Sequence, residues 1–194
     1  MEKLKELDYQ LLFLINGLHT EFLDKVMYLA SERWVWIPMY IFIIISIIRQ
    51  YRIRSIYILI TLIVVMLLSH YISASLIKPF IGRLRPSHNP IFTGQLHFDN
   101  GYKVGIYSFV SSHATNVFAF AFFLFFRRNK IFDWKIILVF IWASFVSYSR
   151  IYLGVQFPSD IIGGAILGFS IAFIVTFIYH YFSLKNREKE LLIN

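Results

Sequence analysis

The sequence contains no cysteine, which excludes disulfide staples and thiolate nucleophiles alike. Charge is also scarce. Asp, Glu, Lys and Arg make up 15% of the 194 residues, against about a quarter in a soluble domain. Acidic side chains are the scarcer sign, 11 against 19 basic, for a net charge of +8. No carboxylate cluster or His/Glu set has the spacing of a metal site, so neither a metal nor another cofactor is expected. Only five prolines occur, and Pro79, Pro86 and Pro90 fall in one stretch. The rest of the chain is free to form long helices.

What fills the sequence is apolar. Hydrophobic residues reach 58%, with 21 Phe and 12 Tyr, and the mean hydropathy is +0.63. Five runs, residues 34–48, 55–77, 111–126, 134–148 and about 159–183, approach the roughly 20 residues that cross about 30 Å of hydrocarbon. Residues 1–32 are mixed: Leu11 to Ile15 is apolar, but His19, Glu21, Asp24 and Lys25 interrupt it. They read as a partly polar crossing preceded by an interfacial segment, or as a pair of interfacial helices, with the crossing favoured. The N-terminus lacks a small-residue cleavage site, so no removable signal peptide is expected. The expectation is an all-α integral membrane protein, a bundle of about six transmembrane helices. It forms a single domain over 1–194, with residues 1–32 as the first helix region, 33–184 as the helical core and 185–194 as a cytoplasmic tail.

The positive charge does not form the continuous stripe of a nucleic-acid binder, and no nucleic-acid partner is expected. It gathers as Arg49, Arg52 and Arg54, as Arg127, Arg128, Lys130 and Lys135, and as Lys185, Arg187 and Lys189, each just outside an apolar run. That is the positive-inside pattern. With those clusters cytoplasmic, the helix ends near 78, 111, 149 and 159 emerge together on the opposite side. The connection 79–110 is long and rich in Pro, Gly, Asn and His, and loops of this length are uncommon unless functional.

Three polar segments meet at that face. The first, K78-P-F-I-G-R-L-R-P86, carries three cations where the positive-inside bias disfavours them. Snorkelling anchors and an anion site both account for it. The second, F109-V-S-S-H-A-T115, opens a helix. Ser111 suits an N-cap or a phosphate contact at a helix N-terminus, and His113 can exchange a proton near neutral pH. The third is S149-R-I-Y-L-G-V-Q-F-P-S-D160. Asp160 there suits a helix cap, and Gly163, Gly164 and Gly168 a close helix packing. Together the segments bring Lys78, Arg85 and Arg150 to Ser111 and His113. Cations and helix-end amides of this kind match a phosphoryl group, whose transfer depends on positioning and charge stabilisation.

These residues resemble the type 2 phosphatidic acid phosphatase superfamily, which includes membrane lipid phosphatases and the vanadium haloperoxidases. Its signature is K-x6-R-P, then P-S-G-H, then S-R-x5-H-x3-D. Lys78, Arg85 and Pro86 fit the first element. Ser111 and His113 fit the second, with Val110 for Pro and Ser112 for Gly. Ser149, Arg150 and Asp160 fit the third, but Gln156 stands where the family has His. The resemblance implies that Lys78, Arg85 and Arg150 bind the phosphoryl oxygens, with Ser111 and the Ser112 backbone N–H adding hydrogen bonds. It implies that His113 protonates the leaving oxygen, that residue 156 is the nucleophile forming a phosphohistidine, and that Asp160 orients it.

A carboxamide lacks the imidazole's free lone pair, so Gln156 preserves polarity but not nucleophilicity. Neither His88 nor His97, on the 79–110 loop, is a good substitute. Two explanations stand: a natural binding member, or an engineered, inactivated phosphatase. Retention of His113, Asp160 and all three cations favours the second. The resemblance thus implies a metal-independent lipid phosphatase, disabled by Gln156, acting on phosphatidic acid, phosphatidylglycerophosphate, undecaprenyl diphosphate or a lipid A phosphate. Its expected place is a bacterial inner membrane with the site on the periplasmic face. A phospholipid-binding or transport protein and a lipid phosphotransferase are the alternatives.

Overall fold

The computed structural model describes residues 2–98, 104–127 and 134–193, with side chains as far as residue 183. The chain begins with two short helices, α1 (Glu2–Asn16) and α2 (Glu21–Ser31). Thr20 starts α2 from extended backbone, its hydroxyl accepting from the Leu23 N–H at 3.2 Å. At 1.5 Å per residue α1 and α2 reach only about 22 and 16 Å, and both pack on α7 (Trp134–Tyr152). The N-terminal region is therefore a helix pair packed on the bundle, and among the described residues neither helix is one of those long and apolar enough to cross a membrane. The interruptions at His19, Glu21 and Asp24 are the physical reason, since they divide the apolar run before it reaches membrane length.

A 3-10 turn (Arg33–Trp36) leads into α3 (Ile37–Tyr51). Arg52, at φ 48°, reverses the chain into α4 (Ser55–Tyr71), which continues through a π-helical stretch (Ile72–Ile77) into α5 (Lys78–Ile81). Gly82, in left-handed conformation at φ 64°, ends α5, its N–H donating to the Lys78 carbonyl. The connection then doubles back, with Leu84 bridged antiparallel to Tyr107. The remaining helices are α6 (Ser112–Arg127), α7 and α8 (Pro158–Ile193). The expected runs are thus recovered as α3, α4 with its extension, α6, α7 and α8; 55–77 keeps its bounds, the others shift by up to four residues, and α8 runs ten residues beyond the expected end. Arg33–Ile81, Trp134–Tyr152 and Pro158–Ser183 are long and apolar enough to cross a membrane, and the first of these contains both α3 and α4.

α6 is the central helix, packed on α8, α7 and α4. Its Ala119, Ala121 and Phe123 are wholly buried, and they join Val65 of α4 and Ala143 of α7 in the main core. Large apolar residues of α3, α4 and α8, among them Phe42, Ile63, Leu67 and Phe177, face outward, as lipid-facing residues do. α8 approaches α6 so closely that a Cβ on Gly164 would stand 2.7 Å from the Ser111 carbonyl oxygen, and one on Gly168 2.6 Å from that of Thr115. This contact sets the start of α8 against the start of α6.

The basic residues Arg49, Arg52 and Arg54 lie near Arg127, whose carbonyl accepts from the Tyr51 hydroxyl at 3.2 Å. This is the end of the bundle opposite the polar segments. Arg128 and Lys130, and the side chains of Lys185, Arg187 and Lys189, lie outside the described residues.

Candidate active site

Lys78, Ser111, His113, Arg150 and Asp160 all sit where helices end or begin at one face of the bundle. The fold-back of residues 83–98 and 104–108 supplies the other wall. Arg85 N–H donates to the Ile106 carbonyl and Ser108 N–H to the Arg83 carbonyl. Lys78 Nζ donates to the carbonyls of Tyr107 (3.0 Å) and Ser108 (2.8 Å). Arg85 Nε shares the Tyr107 carbonyl at 3.0 Å, and its Nη1 donates to the Val155 carbonyl at 3.2 Å. One carbonyl thus draws two cations together. Arg85, His113 and Arg150 line a common cavity of about 440 Å3, with Arg85 9% and Arg150 2% exposed.

Ser111 is buried. Its hydroxyl accepts from the Ala114 N–H at 3.3 Å, and its own N–H donates to the Asp160 carbonyl at 3.1 Å. The cap is therefore real, and it also locks α6 to α8. Ser112 and His113 line a second, apolar cavity of about 530 Å3 walled by residues such as Trp36, Tyr40, Leu62 and Phe120. That cavity and the cationic one share Ser31, Arg33 and His113.

The third segment turns through Gly154, at φ 66°. A Cβ there would meet the Phe98 ring at 2.7 Å. Gln156 is 2% exposed, and its Oε1 has no hydrogen-bond partner among the described residues. No hydrogen bond joins it to Asp160. The Asp160 carboxylate instead accepts from Arg83 Nη1 (2.9 Å), from the Phe157 N–H (2.8 Å) and from the Ser108 hydroxyl.

Sequence reasoning missed the residues that hold this carboxylate. Arg83 bridges two acids: Nη1 reaches Asp160, and Nη2 reaches Asp8 of α1 at 2.6 Å. Its guanidinium stacks 3.9 Å from the Phe157 ring centroid. Asp8, 6% exposed, also accepts from the Ser159 N–H (2.8 Å) and hydroxyl (2.6 Å). Arg83 was visible as the third cation of its segment, whereas Asp8 carries no local signal. Arg33, the further cation lining both cavities, was also missed. Of the loop histidines, His97 stacks on His19 with ring centroids 4.2 Å apart and pairs with Asp24 at 2.9 Å. His88 contacts the Ser87 hydroxyl. Neither lines the cationic cavity.

Residues 58–184 match the family model of the PAP2 superfamily. The chain is 35% identical to the lipid A 4'-phosphatase of Porphyromonas gingivalis over 93% of its own length and 76% of the relative's. It is 31% identical to the undecaprenyl-diphosphatase of Sulfolobus acidocaldarius, over 90% and 75%. Among solved structures it is similar to Aquifex aeolicus LpxE, with a TM-score of 0.67 and 26% identity, covering 88% of this chain and 94% of that one. The PAP2-type phosphatidylglycerolphosphate phosphatase of Bacillus subtilis shares the fold at a TM-score of 0.64 and 21% identity, over 93% and 88%.

Proposed function

The chain belongs to the PAP2 superfamily, and from that premise we propose that it is an integral-membrane lipid phosphatase scaffold whose turnover is disabled at Gln156. The observation that carries this reading is the cationic cavity of Arg85, His113 and Arg150 opening beside an apolar one. Such a pair accepts a phosphoryl group and the acyl chain attached to it. The relatives named for lipid A and for undecaprenyl diphosphate support a phosphorylated lipid as the ligand. A lipid A phosphate is the favoured substrate, since that relative is 35% identical to this chain against 31% for the diphosphatase.

The reaction proposed for the complete site runs in two steps. An imidazole nitrogen at position 156 attacks phosphorus and forms a P–N bond, while the bond from phosphorus to the lipid oxygen breaks. His113 gives its proton to that departing oxygen. Water then attacks the phosphorus of the phosphohistidine and loses a proton to His113 as the P–N bond breaks, and phosphate leaves. Lys78, Arg85 and Arg150 stabilise the charge on the equatorial oxygens in both steps, which makes the proposed mechanism metal-independent.

With Gln156 the first bond has no donor, because the amide nitrogen's lone pair is delocalised into the carbonyl. Gln156 is buried at the position where the family signature has His, which supports reading it as a substitution in a site shaped for another side chain. The test is Gln156→His, assayed for phosphate release from lipid A, phosphatidic acid and undecaprenyl diphosphate. We expect turnover to rise by at least about a thousandfold on one of them. Release no faster than from the original chain on all three substrates refutes the reading.

A further inference from the structure

The cationic cavity is larger than a phosphoryl group requires. From Arg85, His113 and Arg150 it extends to Glu32, Arg33 and Trp34, at the junction of α2 and α3. The proposed reaction gives this outer part nothing to do, yet it is firmly assembled. Trp34 Nε1 donates to Glu32 Oε2 at 2.8 Å, so the indole and the carboxylate are presented as one unit. The Glu32 backbone is extended, and its N–H donates to the Leu29 carbonyl at 3.1 Å. Trp36 Nε1 donates to the Ala30 carbonyl at 2.9 Å and pins the 3-10 turn to α2.

The chemistry of the three side chains narrows the ligand. Glu32 accepts hydrogen bonds from hydroxyls and is repelled by a second phosphate, which disfavours a diphosphate reaching outward past the first. Trp34 offers an apolar plane, which the C–H face of a pyranose covers and a glycerol does not. Arg33, lining both cavities, is placed to donate to ring or carbonyl oxygens where a headgroup becomes a tail. We infer that Glu32, Arg33 and Trp34 form a headgroup subsite for a sugar that carries the phosphoryl group, so that the preferred ligands are acylated sugar phosphates. This inference rests on the phosphatase reading of the inner cavity.

Trp34 is 61% exposed, and an aromatic side chain at a bilayer surface also serves as an anchor. An anchor acts on every lipid alike, whereas a subsite discriminates between headgroups. The experiment measures binding of diacylglucosamine 1-phosphate and of phosphatidic acid with matched acyl chains to the detergent-solubilised chain, and to Glu32→Gln, Trp34→Ala and Arg150→Ala. Glu32→Gln and Trp34→Ala are expected to weaken the glucosamine lipid by about tenfold each and phosphatidic acid by less than about twofold. Arg150→Ala is expected to weaken both. Equal losses for the two lipids in the Glu32 and Trp34 variants, or no loss, overturn the subsite while leaving the phosphate site intact. Unchanged binding of both lipids in Arg150→Ala overturns the phosphate reading and the subsite with it.

Discussion

Arg83 is the side chain on which the site's negative half depends, because it is shared between Asp8 and Asp160. Removing Asp8 leaves the Ser159 N–H and hydroxyl and one arm of the guanidinium without their acceptor. Breaking a buried pair costs about 3–5 kcal/mol, and Arg83 is 26% exposed, so Asp8→Ala should destabilise by about 2–3 kcal/mol. Denaturant unfolding in detergent measures this, and a loss below about 0.5 kcal/mol, ordinary for a surface change, contradicts the role assigned to Asp8. Arg150 tests the opposite charge. Orthovanadate at about 100 times its dissociation constant should stabilise the chain by about 2.7 kcal/mol, or roughly 5–10 °C in Tm. Arg150→Ala should abolish that shift. The cations Lys78, Arg85 and Arg150 were legible because they stand at fixed spacings beside helix ends. Asp8 was not, because its partner Ser159 lies 151 positions away and a lone aspartate on an amphipathic helix looks like any solvated charge.

The pairing of α6 with α8 brings two of the three motifs together. Gly164 and Gly168 face the α6 backbone, which cannot yield as a flexible side chain does. Gly168→Leu should therefore force the helices apart and cost about 1–3 kcal/mol, lowering phosphate binding as Ser111 and Asp160 separate. Ile166, 62% exposed on the outer face of α8, supplies the comparison: Ile166→Ala should leave both stability and binding close to the original. A thermal-melt series in detergent with and without vanadate reads both effects. The glycine spacing announced this contact in the sequence, as did the apolar runs for α3, α4, α6, α7 and α8. The π-helical stretch Ile72–Ile77 was hidden, since it depends on how the end of α4 meets its neighbours and has no composition of its own. The division of residues 1–32 into two helices was half visible in Thr20, a good N-cap residue, and in the charges around it.

The molecule has two dissimilar ends, one carrying the polar motifs and one carrying Arg49, Arg52, Arg54 and Arg127. The orientation proposed from the positive-inside bias puts the first on the non-cytoplasmic side. The absence of cysteine makes this orientation simple to test. In intact cells an impermeant maleimide should label Thr93→Cys, on the exposed loop near the site, and should leave Arg54→Cys unlabelled until the cells are opened; the reverse pattern inverts the topology. The link from Asp8 to Ser159 and, through Arg83, to Asp160 also bears on how the protein is made. Chains emerge N-terminus first, so α1 is complete long before α8 exists to receive it. A chain arrested before Pro158 leaves that carboxylate without its serine partner and leaves Arg83 with one acid instead of two. The helix that enters after the other motif-bearing helices is thus the one that seals α1 against the bundle, and the phosphate site comes into being only once α8 has been made.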